Sequence, residues 1–145
     1  MPHRGRTTAI LLATGAVVVG VLGVSNFWNI VWCFQTDSQR IRGRWKTVSV
    51  IMEGTTMPKS GYIVFEDETT LRTVMDDGHK EILSYHLDET HEPGLIDIIR
   101  PNGNSFPGIY EINRDTLRIC MNRERPTTFE SKPGSRTALT VLQRE

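Results

Sequence analysis

Two cysteines, Cys33 and Cys120, and three histidines, His79, His86 and His91, carry the nucleophilic or metal-ligating chemistry of the later chain. A thiol paired with an imidazole could attack an electrophile, since the thiolate is the nucleophile. No spacing ties a histidine to either cysteine, and no zinc pattern is present. A single cysteine inside a strand pattern reads first as a small core residue. Asp76, Asp77 and His79 crowd one short stretch, and Glu66, Asp67 and Glu68 another. Turn formation and solvation account for both more simply than a metal does. There is no Gly-x-Ser-x-Gly elbow, no His-Glu-x-x-His and no phosphate-cradling glycine loop. The residues name no reaction, no catalytic group, no metal and no cofactor.

What must position these residues is a chain of 145 residues, enough for one domain. Its formal net charge is zero, which excludes global attraction to nucleic acid. Residues 53–99 carry three basic and eleven acidic side chains, whereas residues 36–52 carry four basic and one acidic. Residues 100–145 carry eight basic and five acidic. Should the first and last strands pair, those two basic stretches become neighbours. An ordinary solvated surface is the simpler account.

Residues 1–34 differ from the rest. Arg4 and Arg6 precede a run, Ala9 to Val24, with no charge and only Thr14 polar, and apolar character resumes at residues 27–34. A signal peptide needs a basic start, a short apolar stretch and small residues at the cut, which Gly23 and Ser25 could supply. An anchor helix needs about 20 apolar residues. Trp28 and Trp32 favour the anchor, because indoles gather at the membrane boundary. Arg4 and Arg6 argue for the N-terminus inside. The expectation is therefore residues 1–34 as a signal peptide or membrane-anchor helix, 35–40 as a linker, and 41–145 as the folded domain. That domain lies outside the cytoplasm on a single-pass anchor, or is exported after cleavage.

Beyond residue 40 strand signals recur every 8–15 residues with turn residues between, the pattern of a sandwich or barrel. Strands are expected near 43–53, 61–67, 69–76, 79–88, 95–101, 108–113, 116–122 and 137–144. Asp77-Gly78 signals a hairpin, and Asn113-Arg114-Asp115 separates two alternating runs. Ile63 and Phe65 share a face, as do Ile96 and Ile98 opposite Asp97. Tyr110 and Ile112 should face with Leu117 and Ile119. The first strand reads both ways. Trp45, Thr47, Ser49 and Ile51 make one face and Val48, Val50 and Met52 the other, so a bulge or two covered faces is required. Eight short antiparallel strands can close and remove their edges.

"GRW" at residues 43–45 ahead of eight short strands resembles the lipocalin-type up-and-down β-barrel. "GRWKTVSVIMEG", "FPGIYEINRDTLRIC", "RPTTFESKPGS" and "LTVLQRE" are similar to an uncharacterised lipocalin-like domain abundant in planctomycete bacteria, across about residues 41–145. Arg136 departs from it, where the resemblance implies glycine. The resemblance implies that Gly43 and Trp45 open the first strand, that the indole plugs the closed end, and that Arg144 stacks over it. It implies no activity. Trp45, Phe65, Tyr85 and Tyr110 are the candidate ligand-lining or core residues, and a filled interior is preferred to a hollow one. A structural or interaction module at the membrane, with protein partners unknown, ranks first. The alternative is a cup for a small hydrophobic ligand, and the third reading is an enzyme using Cys120 and a histidine.

Overall fold

The computed structural model describes residues 35–58 and 61–145. The expected hydrophobic helix and cleavage site fall in residues 1–34 and lie outside the described residues. Residues 35–145 form one compact unit.

Its elements are α1 (Asp37–Arg40), β1 (Gly43–Met52), β2 (Thr55–Met57), β3 (Tyr62–Phe65), β4 (Thr70–Val74), β5 (Lys80–Asp88), β6 (Gly94–Ile99), β7 (Ser105–Asn113), β8 (Thr116–Met121) and β9 (Ala138–Arg144). Strands β3 to β9 follow one another antiparallel, β1 pairs β3, and β9 pairs β1. The result is a closed, eight-stranded antiparallel barrel of β1 and β3–β9, with β2 a short flap on the end of β1. The architecture is all-β and consistent with a lipocalin-like fold. Closure gives β1 and β9 the partners that an open sheet would leave unsatisfied.

One inward face runs unbroken around the ring. Register pairs Trp45 with Ile63, Phe65 with Leu71, Leu71 with Leu83, Tyr85 with Ile98, Tyr110 with Ile119, and Leu117 with Leu142. Most of these side chains belong to the buried core, and Ile63 packs against it. The ambiguity of β1 resolves as a bulge. Thr47 pairs Leu142, but Ser49 pairs Val141, so Val48 is the extra residue and stands 37% exposed. Beyond it the phase inverts, and Met52 pairs Ala138 on the inner face.

Three local features depart from the sequence expectation. The hairpin β1–β2 was not anticipated. Its turn uses Glu53 and Gly54, both at positive φ (52° and 78°), the backbone of a type I′ turn. Strand β7 begins at Ser105 and runs through Pro107, which pairs Asp97. Residues 35–40, expected as a linker, hold the turn α1. Thr36 and Gln39 have the spacing of a capping box, and the Thr36 N–H donates to Gln39 Oε1 at 3.4 Å. α1 packs on the barrel: the Tyr110 hydroxyl donates to Asp37 Oδ2 at 2.9 Å, and Arg40 Nη2 to the Ile112 carbonyl at 3.0 Å.

Gly43 sits at φ 109°, which side-chain-bearing residues rarely adopt. Gly43→Ala is expected to lower stability by about 1–3 kcal/mol through backbone strain alone. Urea unfolding checks this, and a midpoint equal to wild type would show that the bend does not depend on glycine.

Candidate functional site

The two ends of the barrel are built differently. At one end Trp45 is wholly buried, and its indole Nε1–H donates to the Ile41 carbonyl at 2.7 Å. Arg144 lies over the ring, with Cζ 4.2 Å from the centroid. Its Nη1 donates to the Arg42 carbonyl at 3.0 Å and its Nη2 to the Arg40 carbonyl at 2.5 Å. A cation taken partly out of water needs such partners. Burial lowers the Arg144 pKa from its ordinary value, and Asp115 opposes that. The guanidinium thus ties together the last strand, the segment after α1 and the indole face. A Cβ on Gly43 would lie 3.6 Å from Arg144 Nη1, so the glycine's role is its backbone angle more than room.

The large aromatics continue the filling from that end. Phe65 and Tyr85 meet edge to face at 5.0 Å, and the Tyr85 hydroxyl donates to the Asp67 carbonyl at 2.5 Å. Tyr110 is 1% exposed and packs against Gly94, where an added Cβ would come within 2.5 Å of the ring. Burial first, and the hydrogen bond to Asp37 second, push its phenol far above the ordinary range. Trp45, Phe65, Tyr85 and Tyr110 are therefore core, and none of them lines the cavity at the other end.

That cavity measures about 470 Å³. Its walls are Ile63, Leu71, Leu83, Ile98, Phe106 and Met121, all on the inner face. Short side chains, Thr73 and Ala138, leave the room. Arg100, Arg123 and Arg136 stand among its lining residues, with Glu53 the one carboxylate there. Arg100 is engaged already, 3.5 Å from Glu81 and with its guanidinium 5.3 Å from the Phe106 ring. The volume and the apolar walls fit a small-molecule pocket near the lower end of the usual range, about 300–1,000 Å³. Sequence reading missed these residues. The apolar residues on both faces of β1 called for a bulge, but its position, which turns Met52 inward, and the long-range register that gathers the arginines leave no local signal.

The chemistry-bearing residues are dispersed. Cys120 points away from the interior, opposite Ile119, and is covered by the loop between β8 and β9. Its Sγ lies 3.9 Å from the Glu130 carbonyl. Burial pushes the thiol pKa up, which disfavours the thiolate. No histidine reaches it among the described residues. His91 instead lies 3.2 Å from Asp88, whose pKa is held down first by the Thr90 hydroxyl. Glu66, Asp67 and Glu68 diverge. Glu66 pairs Arg72 and Glu68 pairs Arg42, both at 2.9 Å, while Asp67 Oδ1 accepts the Thr69 and Thr70 N–H groups at 2.8 Å. The backbone bond from Thr69 leads the lowering of the Asp67 pKa. Asp76 Oδ1 accepts from Gly61 N–H and Asp77 Oδ1 from His79 N–H, so both serve turns. Among the described residues no group of three His, Cys, Asp or Glu side chains could hold a metal.

The loop covering Cys120 is fastened by Arg125. It donates to the Gly108 carbonyl at 2.6 Å and to Asp97 Oδ1 at 2.6 Å, on the outer face of β6 and β7. Pro126, Pro133 and Gly134 in this stretch are turn residues legible in the sequence, whereas the surface that the loop covers is not.

The arrangement defines a closed β-barrel plugged at one end and hollow at the other. Compared with protein-family models, with curated proteins and with solved structures, the chain matches none.

Arg144→Lys is expected to lose about 1–3 kcal/mol in urea unfolding, because an ammonium cannot stack flat while bonding two carbonyls. A loss below about 0.5 kcal/mol would reduce the stack to decoration. In a Cys33→Ser background, Cys120 should resist a water-soluble disulfide reagent at neutral pH until the protein is unfolded. Prompt stoichiometric reaction in the native state would reopen the nucleophile reading.

Proposed function

We propose that this chain is a lipocalin-like binding module whose barrel takes a small apolar molecule through its open mouth. The cavity of about 470 Å³ between Leu83, Ile98 and Phe106 carries this reading. A pocket of that size with apolar walls gains free energy by removing a ligand's surface from water, about 25 cal/mol per Å². The closed end supports it as well. With Trp45 and Tyr110 filling one half of the barrel, a ligand has a floor to rest on and a single way in.

The setting is part of the same proposal. Residues 1–34 hold the module at a membrane or export it, and the planctomycete lipocalin-like domains are its proposed family. A second reading, a structural or interaction module, is favoured by one observation. Ile82 is 61% exposed on the outside of β5, with Ile99 37% exposed on the neighbouring strand. It needs no cavity.

Ala138→Trp separates the two, since it plugs the mouth without touching the buried core. In full-length protein held in nanodiscs of zwitterionic phospholipid, with empty discs as the blank, decanol should bind wild type saturably and the plugged variant at least about tenfold more weakly. Equal binding by both proteins, or none by wild type, would leave only the interaction module standing.

A further inference from the structure

We infer that the mouth selects a free, single-tailed anionic amphiphile, its tail in the cavity and its charged head on Arg123 and Arg136. This deepens the proposed apolar-ligand reading and rests on it.

Three observations converge. The cavity has one kind of wall and another kind of rim. Its depth is Leu71, Leu83 and Ile98, whereas Arg100, Arg123 and Arg136 face Glu53 alone among charged lining residues. A molecule matching both must be apolar at one end and negative at the other. The volume, modest for a ligand pocket, suits one tail.

The arginines are not equally committed. Arg100 is held by Glu81 and Phe106. Arg42, Arg44, Arg72, Arg118, Arg125 and Arg144 likewise have carboxylate partners. Among the described residues Arg123 and Arg136 have none, although both stand at this mouth and in the groove beside it. Glu124 lines that adjoining groove and does not pair with either. Guanidinium groups without a partner at the edge of an apolar cavity are ready donors for a carboxylate, sulfate or phosphate head.

Arg136 is also held at a backbone cost. Its φ is 53°, in the left-handed region that favours glycine, and Glu53 at φ 52° shares the same rim. Glycine at position 136 would relieve that strain, so Arg136→Gly removes the guanidinium without a backbone penalty. Arg114, at φ 52° in the β7–β8 turn, supplies the comparison: the same residue type and backbone, at the plugged end.

The measurement is calorimetric titration of the full chain in zwitterionic nanodiscs, with decanoate against decanol at low ionic strength. Decanoate should bind about tenfold more tightly than decanol, with the advantage shrinking as salt is added. Arg136→Gly and Arg123→Gln should each remove most of that preference. Arg136→Gly should melt at or above the wild-type temperature, which rules out unfolding as the cause. Arg114→Gln should retain the preference. Equal affinities for decanoate and decanol, or an undiminished preference in both mouth variants, would overturn the charged-head inference and leave the apolar pocket intact. Binding of neither compound would remove the pocket reading and this inference together.

Discussion

The barrel depends on one contact between its ends in sequence. Trp45, in the first strand, and Arg144, in the last, are register partners across the β1–β9 seam, and the guanidinium lies on the indole. A ring of strands closes only if its first and last members meet, and this loop is the longest that the domain must pay in entropy. The same guanidinium bonds the carbonyls of Arg40 and Arg42, which draws the segment after α1 over the barrel's end. The contact therefore closes the seam and caps the ring at once.

From that plug follows an asymmetry in how the interior is filled. Trp45, Tyr110, Phe65 and Tyr85 occupy the capped half, and aromatic volume of that kind leaves little void. Toward the mouth the inward positions go to Thr73, Ala138, Phe106, Met121 and aliphatic side chains, which leave a gap across the barrel. An eight-stranded ring has an interior that side chains can just fill. Here they fill one half. The hollow half is where a ligand is proposed, and its charged rim is where a head group is proposed.

The outer face has its own economy. The loop after β8 lies over Cys120 and Ile109, pinned by Arg125 to Gly108 and Asp97. This second, small core explains why an outward-facing cysteine is fully buried and why its thiol is poorly suited to act as a nucleophile. Exposed carboxylates that looked like a cluster on paper are divided among arginines and turn amides, each a local solution to an unpaired group.

Strand positions, the inward alternation of β3, β6, β7 and β8, the Asp77-Gly78 turn and the closed all-β architecture were legible in the sequence, because period-two alternation and turn chemistry are local and each is written within a few residues. The need for a bulge in β1 was legible too, since its apolar residues fell on both faces. The β1–β2 flap was not, because a Glu-Gly turn is a weaker signal than Asn-Gly or Asp-Gly. The capping-box spacing of Thr36 and Gln39 before α1 is written in the sequence, within four residues. What the tertiary structure alone decided is which inward residues meet. Whether Phe106, Met121 and Leu83 pack solidly or leave a cavity depends on distances across the ring, set by strand number and register. Whether Arg123 and Arg136 find carboxylates depends on neighbours brought from other strands. Local pattern assigns a side chain to a face, and only the closed ring determines what stands opposite it.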